Sequence, residues 1–193
     1  KVLMQKKFQK AGLIKMNDLK LVLPSKDDKE SALLMLDEIK AVDAGLPWQY
    51  SGLANLEEAT SYEDWVKEKA NEKNGIDLRD GYVPCTTLFL KRMSDNKVCG
   101  SISIRHELNE FLFNFGGHIG YSVTPSERGK GYGKLQLKMA LEIASYLGIE
   151  KCLITADKTN TLSNKTIISE GGVLENTVMW NNEPLNRYWI NLK

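Results

Sequence analysis

The apolar positions change period repeatedly along the chain, and each change marks a boundary between a short strand and a helix. Residues 19–23 alternate as a strand that Pro24 ends, and Ser25 is placed to cap a helix over residues 27–42. Leu33, Leu36 and Ile39, with Met35 beside them, form the apolar stripe of that helix, and Gly45 and Pro47 break it. Residues 50–59 fit neither period. Ser61 and Asp64 have the spacing of a capping box that opens a second helix running to Lys73, and the polar residues 74–84 read as a loop. Residues 86–93 and 98–106 are strands joined by a hairpin turn at 94–97. Leu108, Phe111, Leu112 and Phe115 then have helical spacing, but Gly116-Gly117 cuts the run short. Residues 118–123 read as a central strand and 134–147 as a helix with apolar positions at Leu137, Ala140, Leu141, Ala144 and Leu147, stopped by Gly148. A strand at 151–155, a short helix at 160–170 and a closing hairpin (173–180 and 186–192) around Asn181-Asn182 complete the pattern. This alternation predicts an α/β (α+β) fold.

Between the strand at 118–123 and the helix at 134–147 lies Arg128-Gly-Lys-Gly-Tyr-Gly133. Three glycines in five residues let the backbone turn sharply and bring its N–H groups close to a ligand. The following helix points its unpaired N–H groups and the positive end of its dipole into the turn, which makes an anion site. Two other phosphate loops are excluded. Leu135 after Gly133-Lys134 gives no hydroxyl for Mg²⁺, and the alternate-residue glycines do not match G-x-G-x-x-G.

Composition narrows the picture further. At 193 residues and 42% hydrophobic the chain is expected to be one domain over residues 16–193, with residues 1–15 an N-terminal extension and Met16 an alternative start. A net charge of +1 gives no basic stripe for nucleic acid, and no apolar run approaches the ~20 residues that span a bilayer. Cys85, Cys99 and Cys152 are odd in number and widely spaced, which fits a reducing, cytoplasmic setting and no metal site.

Arg128, Gly131 and Gly133 occupy the three defined positions of the R/Q-x-x-G-x-G/A signature of the GCN5-related N-acetyltransferases (GNAT), so this stretch resembles that family's acetyl-coenzyme A loop. The resemblance runs over residues 87–173. It implies a mixed, mostly antiparallel central sheet with helices on both faces, the strand ending at Val123 lying next to the one ending at Thr155 and splaying from it. It also implies acetyl-CoA as co-substrate. Its pyrophosphate is expected on the loop of Arg128, Gly129, Lys130, Gly131, Tyr132 and Gly133, with Lys134 also toward the cofactor, and its acetyl carbonyl on a strand N–H near Val123, with Tyr121 on the same strand. Its pantetheine is expected on Asn160, backed by Ser163. The runs 105–109, 116–121 and 125–128 together look like a bacterial subgroup of acetyltransferases without an agreed substrate. The implied activity is direct transfer of an acetyl group to a primary amine of a small molecule, in a ternary complex, by a monomer or homodimer. A protein N-terminus or lysine as acceptor, and a non-catalytic acyl-CoA sensor, stand as alternatives.

Such a reaction needs a base, because an alkylammonium with pKa about 10 is protonated at neutral pH. His118 is the leading candidate, against a structural role in its strand; His106 is a weaker one, and Glu107 and Glu110 could hold a cationic substrate. In many family members a Tyr seven residues after the Asn protonates the leaving thiolate. Here that position is Ile167, which leaves Tyr121, Tyr132 and Tyr188 open as the acid. Lys134 and Lys165 are candidates for the 3′-phosphate or plain surface lysines. Trp48, Trp65, Trp180 and Trp189 line either a cleft or the core, and the alternative for Asn160 is an N-cap of its helix, the offset of Ser163 favouring the cofactor role.

Overall fold

The computed structural model describes residues 18–192, and the expected extension over residues 1–15 lies outside them. In chain order the elements are β1 (Leu19–Val22), α1 (Lys29–Val42), α2 (Tyr62–Glu72), β2 (Cys85–Arg92), β3 (Lys97–Arg105), β4 (Ile119–Val123), α3 (Tyr132–Tyr146), β5 (Lys151–Asp157), α4 (Thr161–Ser169), β6 (Val173–Trp180) and β7 (Glu183–Asn191). The α+β, mostly antiparallel architecture is as expected. Strands β1-β2-β3-β4 form one sheet and β5-β7-β6 another, with every pairing antiparallel.

One expectation is corrected. β4 and β5 do not share a ladder; they touch at one end only, where His118 N donates to Leu153 O at 2.7 Å. Gly117 makes that approach possible. Its φ is +64°, and a Cβ there would lie 2.7 Å from Leu153 O. Beyond this point the two strands part, and the gap between them is where the site lies.

Helices cover both faces of the first sheet because its strands alternate. Leu88 and Leu90 of β2 and Ile102 and Ile104 of β3 pack with α3, while Phe89 between them packs with Met35, Leu36 and Ile39 of α1 and Trp65 of α2. The buried stripe of α1 is Ala32, Met35, Leu36 and Ile39; Leu33, expected in it, is exposed instead, and each large apolar side chain buried there contributes about 1.5–3 kcal/mol. Local signals set the boundaries. The Asp28 carboxylate accepts from Ser25 N and Oγ (2.9 and 2.7 Å), and Ser61 Oγ accepts from Asp64 N at 3.2 Å to open α2. Asn181 and Asn182 both adopt positive φ (48° and 65°), the turn that joins β6 to β7. β7 starts three residues earlier than its pattern indicates, since Pro184 sits at its beginning, where the ladder tolerates it.

The two ambiguous stretches resolve into walls of the inter-strand gap. Residues 50–59 are turns around the buried Leu53 and Leu56. The run 108–115 ends in a π-helical turn, Leu112–Gly116, in which Leu112 is buried and Phe111 remains 50% exposed.

Candidate active site

The chain leaves β4 through a 3-10 turn at Pro125–Glu127, then Gly129 and Gly131 take φ of +78° and +80° and α3 begins at Tyr132. The positive φ values turn the backbone so that the N–H groups of residues 129–134 donate to no group among the described residues. Six consecutive amides at the positive end of a 15-residue helix form an anion cradle.

The charged side chains of the loop make ion pairs of their own. The Arg128 guanidinium grips Asp43 through both terminal nitrogens, Nη1 at 2.8 Å, and its Nε donates to Val123 O at 3.1 Å. Lys130 Nζ lies 2.7 Å from Glu127, and Lys134 Nζ 3.7 Å from Glu170. Glu127 also receives Arg92 and Lys97, both at 2.9 Å. Burial alone would raise its carboxyl; Lys130, Lys97 and Arg92 outweigh this and hold it at about 2. These ion pairs brace the loop, and its backbone amides are left without a partner among the described residues.

A cleft of ≈ 810 Å³ runs from this loop between β4 and β5. The ladder with β3 decides what β4 shows it. Arg105 N donates to His118 O and Thr124 N to Cys99 O, so even-numbered residues of β4 bond β3. The N–H groups of Tyr121 and Val123 therefore face the opposite edge, where no described group accepts them. The other wall is the loop after α1. Ser101 and Ser103 donate to Gly52 O (2.7 and 3.2 Å), and Gly52 (φ +76°) presses so closely on β4 that a Cβ would lie 2.4 Å from Tyr121 Cα.

The expected cofactor residues gather here. Tyr121, Val123, Arg128, Gly129, Gly131, Tyr132, Gly133, Lys134, Asn160 and Ser163 all line the cleft; Lys130 does not. The Asn160 side chain caps α4, accepting from Ser163 N at 3.1 Å, and Ser163 Oγ lies 3.1 Å from the Tyr121 hydroxyl. Burial raises the Tyr121 pKa, so the phenol stays protonated.

The expected base is not in the cleft. His118 is 7% exposed, and its Nδ1 accepts from Leu153 N at 2.9 Å while its own N–H bonds Leu153 O. Burial, with Arg105 nearby, lowers its pKa to about 4. The lone pair a base would use is already occupied, so the ring acts as a clamp between β4 and β5. His106 Nε2 is likewise tied to Thr86 at 2.8 Å, and Glu107 and Glu110 are exposed outside the cleft. Tyr188 is buried against Asn164 (2.6 Å) and Asn186, and Ile167 is wholly buried, so among the tyrosines in question only Tyr121 and Tyr132 reach the cleft. Trp48 and Trp180 line it as well; Trp65 is core, Trp189 packs near Phe113, and Lys165 is exposed on α4.

Several cleft residues were not foreseen: Asp43, Gly52, Arg105, Phe111, Phe115, Asp157 and Glu183. Their local patterns do not mark them as cleft residues: Phe111 and Phe115 belong to the helical turn before β4, and the others to loops or strand ends outside the glycine turn. Asp157 and Glu183 are the cleft carboxylates without an ion-pair partner among the described residues. No cysteine lines the cleft, and burial pushes Cys85 up to about 11 and Cys152 to about 12. Among the described residues there is no cluster of His, Cys, Asp or Glu suited to a metal ion, and no helix long and apolar enough to cross a membrane.

Solved structures share this fold. The Microcin C7 self-immunity acetyltransferase MccE, in complex with acetyl-CoA and AMP, matches with TM-score 0.64 and 17% identity over 91% of this chain and 93% of its own. The Salmonella typhimurium acetyl transferase that modifies the N-terminal serine of ribosomal protein L7/L12 matches with TM-score 0.65 and 18% identity, covering 94% and 99%. The ribosomal-protein-S5-alanine acetyltransferase from Vibrio fischeri gives 0.64 and 16%, covering 93% and 96%. No curated protein sequence matches the chain. The family model for the acetyltransferase (GNAT) domain matches residues 18–172, from β1 to the end of α4. The chain thus belongs to the GNAT acetyltransferases, acyltransferases whose acetyl donor is acetyl-CoA.

Proposed function

We propose that this enzyme transfers the acetyl group of acetyl-CoA directly to a primary amine of a small molecule. One observation carries the reading: unpaired backbone donors sit at both ends of a single cleft, six amides at the glycine turn and those of Tyr121 and Val123 on the β4 edge. The spacing suits a long ligand with an anionic end and a reactive carbonyl. The residues fit acetyl-CoA. The loop amides take the pyrophosphate, the free edge of β4 and the neighbourhood of Asn160 and Ser163 take the pantetheine arm, and Val123 N–H faces the acetyl oxygen. When bound, the thioester supplies the electrophile; the protein's part is to hold it, polarise it and manage protons.

Direct transfer is favoured because no cleft residue is a competent thiolate. The amine proton goes to Asp157 or Glu183, or to water beside them. The Tyr121 hydroxyl, kept protonated by burial, donates to the departing sulfur and takes over the work of the tyrosine that Ile167 replaces. A small acceptor is favoured by the aromatic lining of the cleft, which includes Trp48, Phe111, Phe115 and Trp180. A peptide N-terminus is the second reading, prompted by the ribosomal-protein enzymes among the similar structures. Three buried free cysteines suit a reducing, cytoplasmic compartment.

Bisubstrate kinetics test the proposal. Intersecting double-reciprocal lines and no acetylated protein by mass spectrometry are expected with acetyl-CoA and an amine panel. Parallel lines with a stable acetyl-enzyme would overturn direct transfer, and turnover confined to peptides would favour the second reading.

A further inference from the structure

Arg105 is the one arginine among the described residues without a carboxylate partner; Arg79, Arg92, Arg128 and Arg187 are all ion-paired. It stands where the main cleft meets a side cavity of ≈ 260 Å³, the two sharing Ser51, Gly52, Arg105 and Phe111. Its Nη1 donates to Gly116 O and Gly117 O at 3.1 and 3.2 Å. These carbonyls fix the guanidinium plane and leave Nε and Nη2 without a partner among the described residues. Neither nitrogen is among the buried polar atoms lacking a partner, so both remain open to solvent. The free Nε–Nη2 edge is the planar fork that matches a carboxylate in bidentate fashion.

The surroundings sharpen the ligand. The other cation of the side cavity, Lys69, is already neutralised by Glu72 at 2.8 Å and Glu68 at 3.1 Å, so Arg105 alone holds uncompensated charge there. Beside it Trp180 packs on Phe115 (4.5 Å between ring centres) and on Phe111 (5.2 Å). Phe111 and Trp180 remain 50% and 38% exposed, a wet aromatic wall in the same cleft as Arg105.

We propose that Arg105 binds the carboxylate of the acceptor, and that the acceptor is an amino acid whose apolar side chain packs on the Phe111–Phe115–Trp180 wall. This rests on the acetyltransferase reading above and names the substrate class for it. The amine nitrogen bonds the acetyl carbon, the C–S bond breaks, one amine proton leaves to the base and the thiolate takes one up. The products are an N-acetyl amino acid and coenzyme A, with the carboxylate unchanged.

The first test needs only the native protein. Phenylalanine and leucine are compared with their amides and with phenethylamine as acceptors. The free acids are expected to have kcat/KM roughly 10–100-fold higher, the value of one charge-assisted hydrogen-bonded pair. In Arg105→Gln the KM for the acids should rise by that factor while the KM for the amides stays put, and Arg105→Lys should restore only part of the preference. Calorimetry with acetyl-CoA on the same proteins separates the two readings: loss of donor binding in the native protein sinks the acetyltransferase site, whereas intact binding with acids and amides used equally overturns only the Arg105 assignment. An Arg105→Gln protein that loses acids and amides alike would also overturn it, leaving Arg105 as a brace for Gly116 and Gly117. Should that variant not fold, the acid-to-amide ratio of the native enzyme decides alone.

Discussion

At the residue scale, His118 shows how burial changes a side chain's use. An imidazole that would titrate near 6.5 in water is held neutral, its Nδ1 imitating a backbone carbonyl toward Leu153 N. His118→Ala is expected to leave Leu153 N unsatisfied and cost about 1–3 kcal/mol, with turnover per folded molecule retained. A thermal melt beside specific activity would show this; a fall of kcat by orders of magnitude in a protein of unchanged stability would restore it as a base. The sign of the pH effect follows from the lowered pKa. The unfolded chain binds a proton below about 6.5 that the folded ring refuses until about 4, so stability is full above the unfolded pKa and falls as pH drops through this window. The shift of His106, also lowered by burial, adds to the same slope, so His118→Gln should flatten it in part, as read by denaturant titrations from pH 7 to 4. For Tyr121→Phe, kcat should fall roughly 10²-fold or more with acetyl-CoA affinity nearly unchanged, because general-acid catalysis contributes about 10²–10⁴-fold. Unaltered pre-steady-state release of coenzyme A would count against the phenol as acid.

At the scale of elements, the glycine turn works through its backbone. A Cβ at Gly131 would meet no atom of the protein, yet φ is +80°, which L side chains rarely adopt. Gly131→Val should therefore fold with a modest loss of stability while its branched side chain projects into the open space over the amides. Calorimetry is expected to show acetyl-CoA binding lost, and wild-type affinity would dismiss the loop as the pyrophosphate site. Glu127 sets the loop's shape by gathering Arg92, Lys97 and Lys130. Its folded pKa of about 2 lies below the ordinary 4.5, so it stabilises the protein above pH 4.5, and this is lost as pH falls through 4.5 toward 2. Glu127→Gln should remove that acid sensitivity and lower the melting temperature at neutral pH. Elements with strong local signals, such as α3 with its apolar stripe or the hairpin turn at Asn181-Asn182, were legible in advance. The stretch 50–59 was not, since its fold is set by Gly52 O accepting from Ser101 and Ser103, some fifty residues away.

At the scale of the molecule, the two sheets meet at the His118–Leu153 contact and part around the cleft, so a ligand lying along β4 and the α3 terminus is held by both halves. Acetyl-CoA at a hundred times its Kd should stabilise the fold by about 2.7 kcal/mol and raise the melting temperature by roughly 5–10 °C for a domain of this size. An unshifted melt would mean that the cleft is not the donor site. The sequence by itself determined what depends on neighbouring residues: the period of each element, its caps, and the glycine turn whose signature at Arg128, Gly131 and Gly133 named the family. Tertiary structure decided what depends on distant partners. It turned Arg128 away toward Asp43, sealed His118 against Leu153, and brought Arg105, Phe111 and Trp180 into one cleft. The reason is physical: a helix or turn is specified by interactions a few residues apart, whereas the charge, burial and company of a side chain are fixed only when strands separated by tens of residues pack together.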